Sequence, residues 1–273
     1  MSTWTVRVPG ADIAAFEYGN PNAASTVLLV HGYPDDHHMF DPLIAELGDS
    51  VRIVAYDTRG SGASVADDRR DNSIERLAED AYAVVESIRG LTGKVHVFAH
   101  DWGSLQMWEA MSSPRATTTF ASYTSVSGPS LDHLRQVSRA RMVRPTRWWS
   151  VAAQLSRSWY VFAFHVPLLS RHVPTLLAAF GSEDEPTPTE ADQQRGIALY
   201  RRNLLRRLIS GPEPRCGVSA TVVAPTRDRM LSPNLTEGLS DWIPTLRVIE
   251  VDAGHWWPYT HPKDAAAVLM SSL

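Results

Sequence analysis

Cysteine is nearly absent: Cys216 is the only one in 273 residues. That excludes an internal disulfide and a zinc site built on several thiolates. No apolar run approaches the roughly eighteen residues a membrane-spanning helix requires. The N-terminus, Met1-Ser2-Thr3-Trp4, has no basic stretch followed by an apolar one. No secretory signal is therefore visible, and a cytoplasmic location is the expectation. Nucleic-acid motifs are missing, and the arginines do not interleave with aromatics in an exposed-loop pattern. Gly60 and Gly62 follow a strand-like run, but Val65 stands where a dinucleotide fingerprint needs its third glycine, so that stretch is a tight turn. There are no internal repeats, and low complexity is confined to residues 181–190.

Hydrophobic residues make up 44% and charged residues 21%, as in an ordinary soluble globular chain. The formal net charge of −4 is unevenly spread. Residues 129–215 hold 13 Arg and no Lys against 7 acids, a balance of +6 that leaves −10 on the rest. A basic segment of this kind is most often a solvated or interface-forming surface; contact with an anionic membrane or an acidic partner is the second reading.

Residues 3–8 and 13–18 pattern as a hairpin around Pro9-Gly10-Ala11-Asp12. Residues 26–30 are an apolar run that fits a buried parallel strand, and 51–56 form the next strand. Residues 39–47 are expected to be helical. Residues 73–88 carry apolar side chains at helical spacing behind Ser73, a candidate N-cap. Strand 95–98 leads through His100-Asp101-Trp102-Gly103-Ser104 into helix 105–111, which breaks near Pro114; strand 120–126 follows. Such alternation predicts an α/β fold, a mostly parallel sheet flanked by helices. It stops over 129–215, which reads as helix with breaks at Pro145, Pro167, Pro174 and Glu185-Pro186-Thr187-Pro188. It resumes with strand 221–224, a helix near 234–239, strand 246–251 and a helix from Lys263. The expected organisation is a discontinuous core, 1–128 plus 216–273, with a helical cap, 129–215, inserted after the sixth strand.

Chemistry-bearing residues fall at the C-terminal ends of strands, where open parallel sheets form their crevice. Asp101 occupies the apex of a strand–turn–helix, the layout of a nucleophile elbow, Asp228 follows strand 221–224 and His255 follows strand 246–251. A lone loop Asp is usually a turn-former and a lone His a surface or core residue. Nucleophile, acid and His in that order, each at a strand end, reverse those odds. An Asp at the apex moves the chemistry from acyl to alkyl transfer: a carboxylate attacks saturated carbon and becomes an ester. Hydrolysis then puts an oxyanion on Asp101 itself, so the oxyanion hole must lie beside the elbow. Backbone N–H groups of Trp102 and Tyr33, the latter in His31-Gly32-Tyr33-Pro34, are placed to form it. His255 would activate water, with Asp228 orienting it. The first step needs no base.

His31-Gly32-Tyr33-Pro34, the elbow sequence and Gly254-His255-Trp256 resemble the epoxide hydrolases of the α/β-hydrolase fold. Residues 120–134 are similar to a bacterial branch in which a hydrolase half often precedes a short-chain dehydrogenase half. The resemblance covers nearly the whole chain, closely in the core and loosely in the cap. It implies an epoxide hydrolase without cofactor or metal, acting on a small apolar or lipid-like epoxide in detoxification or lipid metabolism. It also implies two cap tyrosines that assist ring opening. Tyr160, before Phe162 and Pro167, and Tyr200, in Tyr200-Arg201-Arg202, match those segments and are the only tyrosines in 129–215. Each could instead be a core tyrosine with a partnered hydroxyl. His165 stands where the family often has Gln.

A haloalkane dehalogenase is the nearest alternative, sharing the Asp and the following Trp. It commonly has an Asn halide donor where this chain has Tyr33, and fluoroacetate-type dehalogenases usually carry Arg where this chain has Trp102. A non-catalytic ligand-binding protein on the same fold is a third reading, but it need not keep every catalytic group. Trp148, Trp149, Trp159, Phe162 and Phe164 are expected to pack the cap on the core. Among the aromatics, Trp102, Trp159, Phe164 and Trp256 are the candidate substrate contacts. His37 and His38, being adjacent, are expected to point apart and not to hold a metal.

Overall fold

The computed structural model describes residues 1–68, 71–144, 146, 148–166, 170, 172–173, 186 and 189–273. Strands β1 (Ser2–Val8) and β2 (Ala11–Gly19) form the antiparallel hairpin. β2 also pairs antiparallel with β4 (Arg52–Tyr56). From there the sheet is parallel, in the order β4, β3 (Thr26–Val30), β6 (Val95–His100), β7 (Phe120–Val126), β8 (Ala220–Pro225), β9 (Leu246–Val251). All residues of β3 and β4 are buried, as an unbroken apolar run covered on both faces requires. A two-residue strand, β5 (Val65–Ala66), pairs with the edge of β2. It is too short to show in sequence pattern, so the long helical insertion follows the seventh strand in the chain rather than the sixth.

Helices α1 (Asp41–Leu47), α2 (Ile74–Glu86), α3 (Trp102–Ser112) and α4 (Ala116–Thr119) connect the first strands. Ser73 caps α2 by accepting from the Arg76 N–H. Two further helices, α9 and α10 in chain order, span Trp257–Thr260 and Pro262–Met270 and close the chain. The expected helix near 234–239 is two 3-10 turns, Pro233–Thr236 and Leu239–Asp241, separated by Gly238 at φ 81°. A left-handed residue at that point stops helical propagation.

Between β7 and β8 lie α5 (Leu131–Met142), α6 (Trp148–Arg157), α7 (Trp159–His165) and α8 (Glu190–Ile209). The expected breaks at Pro145, Pro167, Pro174 and Thr187-Pro188, and nearly all of the 181–190 loop, lie outside the described residues. No helix among the described residues is long and apolar enough to cross a membrane. A third apolar cluster, distinct from those on the two sheet faces, joins Tyr33, Trp102 and Leu105 to Tyr160, Phe164, Tyr200 and Leu204. Polar ties add to it. Arg207 on α8 is 5% exposed and pairs with Glu109 of α3 and Asp132 of α5. Asn203 accepts from the Ile74 N–H and donates to the Asn72 carbonyl, joining α8 to the start of α2. Removing one partner from a buried ion pair costs about 3–5 kcal/mol; the tilt of α8, and hence of Tyr200, is held by more than apolar contact.

Two sequence expectations fail here. Of the five aromatics expected to pack inward, only Phe164 is fully buried; Trp148, Trp149, Trp159 and Phe162 are 59%, 86%, 40% and 51% exposed. A count of aromatics says nothing about which side of an amphipathic helix they occupy. His37 and His38 do not point apart: their ring centroids lie 4.0 Å from each other in a 3-10 turn. His37 stacks on Phe16 and bonds Asp57, while Asp41 draws the His38 ring over it.

Candidate active site

The turn from β6 into α3 puts Asp101 at φ 50°, ψ −124°, a backbone region that side chains avoid. Its neighbours hold it there. The Asp101 N–H donates to the Val126 carbonyl at 3.0 Å, the Asp101 carbonyl accepts from the Leu105 N–H at 3.0 Å, and Ser104 Oγ donates to the Ala99 carbonyl at 2.7 Å. The turn is possible only because glycines surround it. A Cβ on Gly32 would stand 2.5 Å from Asp101 Oδ1 and 2.6 Å from the Trp102 nitrogen, and one on Gly103 would strike the Val30 carbonyl.

Asp101 Oδ1 accepts the Tyr33 N–H at 2.8 Å. The loop carrying Tyr33 is fixed from both sides. His31 Nδ1 donates to the Gly32 carbonyl and its Nε2 accepts from the Thr58 N–H, each at 2.9 Å; the Tyr33 hydroxyl donates to the Gln193 carbonyl on α8, also at 2.9 Å. The Asp57–Gly62 turn is locked in turn by Arg59, which bonds buried Asp80 at 2.8 and 2.7 Å.

Asp228 and His255 converge on Asp101. His255 Nδ1 bonds Asp228 Oδ2 at 2.8 Å, and its Nε2 faces Asp101 Oδ2 at 3.5 Å. The second separation is too long for a good hydrogen bond, and Nε2 makes none among the described residues. Asp228 Oδ1 accepts from the Met230 and Leu231 N–H groups at 2.7 and 3.0 Å. Burial works to raise the Asp228 pKa, but the charge of His255, its hydrogen bond and those two N–H groups outweigh it and hold the carboxyl below its usual range. Burial likewise opposes charge on His255. The facing carboxylates of Asp228 and Asp101 prevail and hold its pKa well above the ordinary value.

Tyr160 and Tyr200 are both buried and stand over the elbow. Their rings lie 5.8 Å apart, and the Tyr200 ring is 4.9 Å from Trp102 and 4.7 Å from Phe164. The rings of the tyrosine pair meet edge to face, as do those of Tyr200 and Trp102. Burial, then charges that for Tyr200 include Tyr160 and for both include Asp101, raises both phenol pKa values, so both groups are protonated donors at neutral pH. Of the other candidate contacts, Phe164 is inside this cluster. Trp159 sits at its outer edge, with its ring 6.5 Å from Tyr160. The Trp256 ring lies 4.9 Å from His255 and its indole donates to Asp35 Oδ2 at 3.0 Å.

Three residues at this site had no role in the sequence reading. Asp35 is 3% exposed, its Oδ1 has no partner among the described residues, and burial, then the Asp101 charge against the Trp256 bond, raises its pKa to about 7. His100 Nε2 and Ser127 Oγ donate to the His255 carbonyl at 3.0 and 3.2 Å and so fix the backbone of that residue. Burial lowers the His100 pKa to about 4, so it is neutral. The acid directly after His31-Gly32-Tyr33-Pro34 was the only available signal for Asp35.

The alpha/beta hydrolase family sequence model matches residues 27–268. The chain belongs to that family. It is 32% identical to Probable oxidoreductase EphD of Mycobacterium tuberculosis over 98% of its own length and 49% of that protein's. It is 25% identical to Bifunctional epoxide hydrolase 2 of Sus scrofa over 97% of its length and 54% of the relative's. The chain thus spans about half the length of these curated relatives. The Bacillus megaterium epoxide hydrolase, solved with an inhibitor, shares the fold with a TM-score of 0.78 at 18% identity, over 98% of this chain and 99% of that one.

Proposed function

We propose that this alpha/beta hydrolase opens epoxides to vicinal diols through an ester on Asp101. The observation that carries the reading is the pair of buried tyrosines, Tyr160 and Tyr200, packed against each other with both phenols within the field of Asp101. An epoxide oxygen leaves as an alkoxide, a poor leaving group unless it receives a hydrogen bond or a proton; two protonated phenols are suited to that task. Names of relatives and structural neighbours support the same chemistry. The relative named as an oxidoreductase is about twice as long, and this chain has no dinucleotide fingerprint of its own.

In this mechanism Asp101 Oδ2 attacks one ring carbon, because Oδ1 is engaged by the Tyr33 N–H. The carbon–oxygen bond breaks, and the released oxygen takes a proton from the tyrosine pair. His255, cationic at rest because two carboxylates face it, makes that proton good and becomes neutral. Esterification has meanwhile removed the Asp101 charge, which favours the neutral imidazole. His255 then takes a proton from water as the hydroxide adds to the ester carbonyl. The resulting oxyanion on Asp101 is held by the N–H groups of Tyr33 and Trp102. Collapse expels the diol, which takes the added hydroxyl's proton, and restores carboxylate and imidazolium. Asp228 keeps the His255 ring oriented throughout. Residues 129–215 serve as the cap over this site, 1–128 and 216–273 as the core, with Trp102, Phe164 and Trp256 bounding the substrate space; Trp159, also expected there from sequence, is on the outward side of α7.

Dehalogenation by the same nucleophile would commonly pair the Trp102 indole with an Asn halide donor, and this chain has Tyr33 at that position. The test is a product assay with a styrene-type oxide and haloalkanes in parallel. Diol without halide release is expected; halide release without diol would overturn the reading.

A further inference from the structure

From residue 133 to residue 182 the chain contains no Asp or Glu, yet it contains seven Arg. Within that stretch α5 packs on α6 and α6 on α7. All four exposed aromatic side chains among the described residues, Trp148, Trp149, Trp159 and Phe162, belong to α6 and α7. Arg139, Arg144 and Arg157, on α5, just after it and at the end of α6, are exposed as well. Helix α7 divides its faces: Tyr160 and Phe164 turn into the site, Trp159 and Phe162 outward.

We infer that this outer face of α6 and α7 docks on an anionic lipid bilayer surface. Tryptophans settle at the headgroup level, where an amphipathic ring is best solvated, and arginines beside them attract anionic lipid. A stretch of fifty residues without a carboxylate adds no negative charge of its own to such a surface; the nearest acids, Glu237 and Asp241, lie beside Arg141 and Arg144 at the α5 end. A second copy of the chain fits less well. A two-fold contact sets a patch against itself, so arginine would meet arginine with no acid from the stretch between them. Because α7 carries Tyr160 on its opposite side, docking there would place the bilayer one helix away from the candidate site. The inference concerns the surface alone and does not require the proposed reaction.

Flotation with phosphatidylcholine vesicles, with and without phosphatidylglycerol, tests it on the protein as it stands. Binding is expected only with phosphatidylglycerol and should weaken as salt is raised. Arg144→Glu with Arg157→Glu should lower partitioning by at least about tenfold. Trp149→Ser with Phe162→Ser should also release the protein, and both variants should keep the parent's far-ultraviolet circular dichroism and a cooperative melt. The salt series on the unaltered protein holds even if a variant fails to fold. Three results would each overturn the inference: no preference for anionic vesicles, binding insensitive to salt and charge reversal, or self-association lost in the Trp149/Phe162 variant without vesicle binding.

Discussion

Replacing each cap tyrosine by phenylalanine tests its part in ring opening without emptying its place in the cluster. Both rings are buried, and phenylalanine keeps their contacts with each other and with Phe164. Either change removes one donor to the developing alkoxide, and losing one such donor costs roughly a hundred- to a thousandfold in rate. Loss of one buried hydroxyl changes stability by about 1 kcal/mol, and for a chain this size each kcal/mol moves Tm by roughly 2–4 °C. Tyr160→Phe and Tyr200→Phe should therefore each lose rate while melting within a few degrees of the parent. The double variant should have no measurable epoxide turnover. Stopped-flow single turnovers report ester formation and ester hydrolysis separately, and thermal melts report stability. The loss must fall on ester formation. If both single variants stay within threefold of the parent, or if hydrolysis alone slows, the tyrosines do not act on the leaving oxygen.

Two further expectations follow from His255. His255→Gln leaves the nucleophile intact but removes the base, so intact-protein mass spectrometry should find a stoichiometric adduct on Asp101 that does not turn over; full turnover would remove His255 from the base role. Since the Asp101 carboxylate helps to raise the His255 pKa, Asp101→Asn, a neutral stand-in for the ester, should lower it. The imidazolium is then lost at lower pH than in the parent; in the esterified parent, which the variant imitates, hydrolysis needs neutral imidazole and gains rate as pH rises through that lowered value. Nuclear magnetic resonance titration of His255 in both proteins checks the sign; an unchanged or raised pKa would contradict the proton cycle.

Much of the frame was legible because its signals are local. An unbroken apolar run over 26–30 admits little but a buried strand, and small residues around Asp101 permit a turn that bulkier ones would block. Asp228 and His255 could be picked out by their place after strands, and they meet at 2.8 Å. Burial of single polar groups was not legible. Asp35 looks like any turn acid until Trp256, 221 residues away, is seen to bond it. Nor could composition divide the cap aromatics: Phe164 and Phe162 differ by two positions on one short helix, one sealed in the site and the other half exposed. The meeting of His37 and His38 depends on Asp57, twenty residues from His37, which no spacing rule connects to it, as well as on Asp41, three residues after His38.

The ester on Asp101 is the claim on which the mechanism rests, and one turnover in heavy-oxygen water addresses it. With enzyme in excess over epoxide, the oxygen added to the diol should come from the Asp101 carboxylate, leaving the first product almost unlabelled and the label on Asp101. A first-turnover diol carrying the heavy isotope, with Asp101 unlabelled, would mean that water attacks the epoxide directly and that no ester forms.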